Sequence, residues 1–452
     1  MIKDSSKLGS PRLRKRPRSA FPIVLTLLAV ASMWFYVERI LIPQQVRDAT
    51  AHNRPRGNLS DLYPRWLGAR ELLLHRRNPY SHDVTVEIQQ GFYGRPLDAS
   101  RPDDPRDQEA FTYPAYVVFL LAPFVGFPFP AVQIVFGWIL VALSAASVPL
   151  WLMALRWKLP PMTMAICLAL TLGSFPVAQG VKLQQLSLLV GGVLAVSAAC
   201  AVNGYLFCSG ALLALTTIKP QLAGPIVVWL LLWASSEWRA RRRLVFGFVS
   251  LMALLLAGAQ FLLPGWWRMF AEALRQYHQY AQNQSALDLL ADGTLGPRVG
   301  LALGVVAGLA CGIVAWRTRG QKADTPEFAH ALALVLGFTV VIVPVTAYNQ
   351  VLLLPAILWL ARQWAVRSRA PAIELLLYAV AVVVLAWSWI GSLTLSAAYF
   401  LLSPTRAQST WRLPFYSTLA LPVLVLALLF WERGRTRLAG PRVARSSGGV
   451  SD

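Results

Sequence analysis

From about residue 20 onward the chain is a succession of apolar runs, broken at intervals by short polar or basic turns. Runs of this length and continuity read as membrane-spanning helices rather than as soluble amphipathic ones. Twelve are predicted, at about Ala20–Ile42, Pro130–Leu155, Pro161–Ala178, Gln185–Ala201, Tyr205–Ile218, Gln221–Ala234, Leu244–Leu263, Arg298–Trp316, Ala329–Val345, Gln350–Leu360, Pro371–Ile390 and Leu413–Trp431. Those at Tyr205, Gln221 and Gln350 are short for a bilayer core, which predicts tilted, broken or partly interfacial helices. Tyr113–Phe124 is too short to cross and reads as a re-entrant or interfacial segment. Two polar stretches stand out, Pro43–Thr112 and Pro264–Pro297. The expected organisation is a basic tail (1–19), an all-α membrane domain (20–432, with loops 43–112 and 264–297), and a second basic tail (433–452).

Inside the first polar stretch, Asp61–Tyr80 carries its own pattern. Ser60 and Asp61 are good N-cap types, and Pro64 suits a first helical turn. Leu62, Trp66, Ala69 and Leu73 then recur at helical spacing, while Arg65, Arg70 and Glu71 fall off that stripe. Asn78-Pro79 stops the helix. Trp, Leu and Arg on an amphipathic helix beside a span predict a helix lying along the lipid interface. Asp61 at its N-terminus would be kept ionised by the helix dipole, which makes it a candidate base at the membrane surface. The plainer alternative is a capping aspartate.

Composition supports the membrane assignment, with 56% hydrophobic and only 14% charged residues among 452. A soluble protein would carry about 25% charged residues. A net charge of +21 would suit nucleic acid, but its distribution argues against that partner. With a cytoplasmic N-terminus, the basic tails and the clusters at Arg156/Lys158, Arg239–Arg243, Arg317/Arg319/Lys322 and Arg362–Arg369 all fall inside. Together they hold 24 of the 42 basic residues. Pro43–Thr112, with ten Arg and ten Asp or Glu, falls outside with the second loop. That is the positive-inside signature of a bacterial inner-membrane protein with both termini cytoplasmic. The basic start resembles a signal peptide, but Val37-Glu38-Arg39 follows the apolar run in place of a small-residue cleavage site, so a retained anchor is expected.

Cys167, Cys200, Cys208 and Cys311 lie in or beside apolar spans without a CxxC, as small core residues would. Asn58-Leu-Ser and Asn283-Gln-Ser match the glycosylation sequon but are read as unmodified in a bacterial chain. His75 and His82 have no metal-ligand spacing, so no metal site is implied. Dinucleotide, Walker and nucleophile-elbow motifs are absent, so soluble nucleotide chemistry lacks support. No motif requires a cofactor, and dependence on a divalent cation is left open.

In this topology six short motifs share the outer layer: Asp61 with its helix, Phe111-Thr-Tyr-Pro114, Lys182-Leu-Gln-Gln185, Lys219-Pro-Gln221, Asn283-Gln-Ser285 and Tyr348-Asn-Gln350. Lys182 and Lys219 break the positive-inside trend. An outer cation suits a lipid phosphate, and snorkelling is the alternative.

The order Asp61-Leu-Tyr, Asn78-Pro-Tyr80, Phe111-Thr-Tyr-Pro114, Gln184-Gln185-Xaa-Ser-Leu-Leu, Lys219-Pro220, Asn283-Gln-Ser285 and Tyr348-Asn-Gln-Val-Leu-Leu-Leu-Pro355 resembles glycosyltransferase family 87. The resemblance runs from Asp61 to Pro355, about two-thirds of the chain. Leu62 and Ala115 stand where the family usually has Phe and Pro. The resemblance implies a GT-C-type helical bundle and an inverting transfer from a polyprenyl-phosphate-linked sugar, mannose being the family's best-represented donor sugar, to an envelope lipid or glycan. It gives Asp61 the position of general base, with Glu109 and Asp107 in reserve. Lys219, then Lys182 and Arg298, would hold the donor phosphate. Asn283, Gln284, Tyr348 and Asn349 would hydrogen-bond sugar hydroxyls, and Tyr63 or Trp66 would stack on a ring. The rival classes are a transporter or flippase and a glycan ligase or polymerase. A transporter would place ionisable groups near the midplane. Here Glu38 and Glu374 lie near span ends.

Overall fold

The computed structural model describes residues 20–54, 60–98, 100–280, 284–292, 297–367 and 370–438. Helices account for nearly all regular structure among them. Six are long and apolar enough to cross a membrane: Phe21–Ala51, Phe129–Ala154, Trp238–Leu262, Arg298–Thr318, Ala372–Leu401 and Pro404–Arg433. Pro161–Leu172 and Phe175–Lys182, bent by 48° about Gly173-Ser174, make a seventh if taken as one broken span. Leu186–Val202, Leu206–Thr216, Pro220–Ser236 and Pro326–Ile342 are apolar but shorter. At 1.5 Å per residue, the 11-residue Leu206–Thr216 helix cannot cross a bilayer core. Every predicted apolar run is thus helical, but only about half reach spanning length.

The exterior is apolar. Leu254, Phe261, Val306, Leu309 and Val382 are all more than half exposed, as a lipid-facing belt requires. Close approach inside is set by small residues. A Cβ at Gly210 would land on the Leu244 carbonyl oxygen, and one at Gly247 on that of Phe207. The Leu206–Thr216 and Trp238–Leu262 helices therefore touch backbone to backbone.

At one end of the bundle, arginines close helix C-termini, where carbonyls lack intrahelical partners. Arg156 donates to Val202 O (2.8 Å) and Arg362 to Leu155 O (2.6 Å). Arg241 donates to Trp233 O, Arg319 O and Gln321 O at 2.8–3.0 Å. Arg367 pairs with buried Glu374 and with Glu432, to which Tyr378 also donates (2.8 Å). These are the basic connections that the charge pattern put on one side. The opposite end gathers the polar motifs.

The first polar stretch folds against that opposite end. The predicted helix is present as Tyr63–His75, but two expectations about it change. Its N-cap is Leu62, with no side-chain cap, so Asp61 does not cap it. Nor is its apolar stripe free to face lipid, since Trp66, Gly68, Ala69, Glu71 and Leu72 are buried against protein. Phe111 packs its ring directly on Gly68, and Trp66 and Arg70 donate to Phe124 O and Val125 O, both at 3.1 Å. Tyr113–Phe124 is a short helical turn (Val117–Leu121, then Ala122–Phe124) packed on this helix.

Candidate active site

The site is built on the break between two helices. Phe175–Lys182 ends at Leu183, Gln184 takes a left-handed turn (φ 47°), and Gln185 starts Leu186–Val202. A non-glycine residue in that region is uncommon and costs about 1 kcal/mol or more. The turn exposes Leu183 O, which accepts the Asp61 N–H (3.0 Å) and the Ser60 hydroxyl (3.1 Å). Tertiary contact therefore takes the chain that local sequence would have spent on a helix cap, and it aims Asp61 at Gln185.

Lys219 arrives from another direction. It precedes Pro220, the first residue of Pro220–Ser236, and Pro excludes the helical region for its predecessor. Lys219 is accordingly non-helical (φ −123°, ψ 76°) and buried. Its ammonium donates to Gln185 Oε1 (3.0 Å) and Ser187 Oγ (2.7 Å). It sits 5.2 Å from the Tyr348 ring centroid, a favourable cation–ring contact. Gln185 donates its amide N–H to the Asp61 carboxylate. Ser187 donates to Asn349 Oδ1 (2.8 Å), and Asn349 Nδ2 to Pro344 O (3.4 Å). One hydrogen-bond chain thus runs Asp61–Gln185–Lys219–Ser187–Asn349, joining four of the six motifs.

Arg65 adds the second cation. One turn beyond Asp61, it donates to Asp61 O (2.7 Å), lies 3.8 Å from Glu109 Oε2 and stacks 4.7 Å from the Tyr113 ring. The apolar stripe placed Arg65 on an outer face, and only its i, i+4 spacing from Asp61 signalled this role. Gln185 and Ser187 were visible as motif letters without a function.

Electrostatics follow from burial and proximity. Burial raises the Asp61 carboxyl above its ordinary range, while Arg65, Lys219, the Gln185 hydrogen bond and Lys182 oppose that. Glu109 is pushed well above the carboxylate range by burial and by Asp107 and Asp61. Burial, with Arg65 beside it, lowers Lys219 to about 7. The expectation that the helix dipole governs Asp61 is therefore replaced: burial sets the direction of its shift, and its cationic neighbours oppose it.

The remaining candidates disperse. Lys182 donates to Gln45 and lines a separate cavity. Arg298 is exposed at the start of the Pro297–Thr318 helix and makes no ion pair with a described residue. Tyr63 and Trp66 pack on Phe129, with ring centroids 4.9 and 5.2 Å away. Gln284 is exposed, and its carbonyl accepts from Val345 N (3.1 Å), tying the second loop to the segment before Tyr348. Asn283 lies outside the described residues. Among the described residues, no group of three or more His, Cys, Asp or Glu is arranged to hold a metal ion.

A family model, glycosyltransferase family 87, matches residues 111–344, just over half of the chain. The chain belongs to glycosyltransferase family 87. The matched region contains Tyr113, Gln185, Ser187 and Lys219, while Asp61 precedes it and Tyr348 and Asn349 follow it. Comparison with curated proteins returned no match. As a family 87 member the protein is a membrane glycosyltransferase, and the chain of hydrogen bonds from Asp61 to Asn349 is its candidate active site.

Proposed function

We propose that this family 87 enzyme transfers a hexose, mannose by family expectation, from a polyprenyl-phosphate donor to an envelope lipid or glycan. Twelve helical segments would form a GT-C-type bundle in the bacterial inner membrane. Both termini would be cytoplasmic and the Asp61 layer outside. The arginine-closed end of the bundle supports that orientation by the positive-inside rule.

The observation that carries the reading is a carboxylate and an ammonium held on the two ends of one glutamine amide. In the reaction, Asp61 accepts the proton of an acceptor hydroxyl as its oxygen attacks the anomeric carbon. The bond from that carbon to the phosphate oxygen breaks, and its electron pair leaves with the lipid phosphate. Lys219, with Arg65 behind it, stabilises the charge that develops on the leaving oxygen. Attack opposite the departing phosphate inverts the centre. Tyr348, Asn349, Gln284 and Asn283 are assigned to sugar hydroxyls.

The test is Asp61→Asn. The amide keeps the size and a hydrogen-bond acceptor for Gln185 but removes the basicity, so turnover should fall about 10²–10⁴-fold. Donor binding and thermal stability should persist. Purified protein assayed with donor lipid and an envelope acceptor extract decides it. An active variant moves the base to Glu109 or Asp107.

A further inference from the structure

The turn that carries Glu109 is bent against its own sequence. Glu109 takes the left-handed region (φ 52°), which glycine, asparagine and aspartate enter more readily than glutamate. Neighbours impose the conformation. Asp107 accepts the Glu109 N–H on Oδ1 (3.0 Å), Tyr93 donates its hydroxyl to Asp107 O (3.2 Å), and Gln89 donates to Gln108 O and Oε1 (3.1 and 2.9 Å). Gln89 and Tyr93 are themselves buried on the His82–Tyr93 helix. Strain that persists because its surroundings over-determine it points to a side chain whose direction matters.

That direction is toward Arg65. Arg65 Nη1 donates to Asp61 O (2.7 Å), and the same atom lies 3.8 Å from Glu109 Oε2, with both side chains only 15% exposed. The guanidinium is held between the backbone of one acid and the carboxyl of another, with the Tyr113 ring stacked beside it. Yet Arg65 is not spent as a fastener. Arg241, at the closed end of the bundle, gives its terminal nitrogens to three carbonyls. Arg65 Nε is instead buried without a hydrogen-bond partner among the described residues. A guanidinium that is fixed but incompletely paired can meet the charge of an arriving phosphate without first breaking a contact.

We propose that Glu109 is a positioning residue for glycosyl transfer: it fixes Arg65 beside Asp61, so that the guanidinium meets the charge developing on the departing phosphate. Glu109 touches no reacting atom and acts through Arg65. The inference rests on the reading above, with Asp61 as the base, and gives Glu109 a part beside Asp61 rather than in its place. The groups facing Glu109 are Asp107 from its own turn, Arg65 and Asp61 from the Tyr63–His75 helix and its approach, and three tyrosines. Those are Tyr93 on the His82–Tyr93 helix, Tyr113, and Tyr277 on the Trp266–Tyr280 helix. Burial, Asp107 and Asp61 push the Glu109 carboxyl up, and Arg65 is the cation that pulls it down.

The experiment uses full-length protein in nanodiscs, with polyprenyl-phosphate sugar and an envelope acceptor extract. Glu109→Gln should lower kcat about tenfold, as a displaced transition-state donor does, and leave donor KM within about twofold. Glu109→Gly relaxes the left-handed turn, so it keeps the fold and serves as the second variant; it should be just as slow. Arg65→Met and the double variant Arg65→Met/Glu109→Gln should be equally slow, because Glu109 has no effect once Arg65 is gone. A readout without turnover is the infrared pH titration of the Glu109 carboxyl band, isolated by subtracting Glu109→Gln. Its midpoint should rise by about one pH unit or more in Arg65→Met. Wild-type kcat in folded Glu109→Gly overturns the inference, as do additive losses in the double variant and an unmoved midpoint. A loss in Glu109→Gln as deep as that in Asp61→Asn overturns it too, by making Glu109 the base. If Asp61→Asn abolishes transfer while the losses at Arg65 and Glu109 add, the positioning role falls and the reaction stands. If the midpoint moves with Arg65 but wild type transfers nothing, the reaction falls and takes the role of Glu109 with it, while the Glu109–Arg65 pairing stands.

Discussion

Lys219→Arg separates charge from titration at the proposed donor cation. In the free enzyme, burial and Arg65 bring Lys219 from 10.5 to about 7. That shift corresponds to roughly 5 kcal/mol against the ammonium form. Above neutrality Lys219 in the free site should therefore lose its charge. Because kcat/KM reports the free enzyme, donor kcat/KM should fall about tenfold per pH unit on that limb. A bound phosphate is an opposite charge and restores the ammonium, so the matching limb of kcat should move to higher pH. Arginine does not titrate in this range. Lys219→Arg should erase the alkaline limb of kcat/KM, at reduced absolute rate because its planar fork replaces a point charge on Gln185 and Ser187. Lys219→Met should lose about 10²–10³-fold in kcat at every pH, as removal of one transition-state donor does. The acid limb, set by the raised Asp61–Glu109 pair, should persist in both, since a carboxylate base gains activity as pH rises through its pKa. Initial rates with polyprenyl-phosphate sugar across neutrality provide the assay. An alkaline limb that survives in Lys219→Arg, or full donor use by Lys219→Met, refutes the assignment and passes the role to Arg65, Lys182 or Arg298.

Two further predictions concern the scaffold. Cysteines at Arg242 and Gln284, both exposed, should label from opposite sides: Gln284→Cys in intact cells, Arg242→Cys only after permeabilisation. External labelling of position 242 inverts the bundle and moves the Asp61 layer to the cytoplasm. Gly210→Ala should lower thermal stability by about 1–3 kcal/mol, since the added methyl meets a backbone carbonyl that cannot rotate away. Unchanged melting would mean that the two helices do not touch there.

Sequence made the helical segments legible because apolar length is a local signal. The polar motifs also signalled their own meeting, since Asp61, Gln185, Lys219 and Asn349 join one chain of hydrogen bonds. What it hid was tertiary. Ser60-Asp61 reads as a cap until Leu183 O claims its backbone and hydroxyl. Trp66 reads as interfacial until Phe124, Phe129 and the segment carrying Phe111 cover that helix. Arg65 looked solvent-bound because a polar residue off an apolar stripe normally is. Lys219 ranked ahead of Lys182 as the phosphate cation, but nothing in the sequence showed that the two occupy different places, Lys219 on Gln185 and Ser187 and Lys182 on Gln45.

Gln185 also determines what Asp61 and Lys219 cannot do. A carboxylate in direct contact with an ammonium can cancel it by handing a proton across, leaving two neutral groups that neither deprotonate a hydroxyl nor balance a phosphate. A carboxamide is a poor relay at neutral pH, because its nitrogen only donates and its oxygen only accepts. With the nitrogen toward Asp61 and the oxygen toward Lys219, flipping the group would oppose like to like at both ends, so its orientation is locked. The amide thus acts as an insulator. Under the proposed mechanism, a proton taken up at Asp61 would have no direct path through Gln185 to Lys219 and would leave by solvent or product.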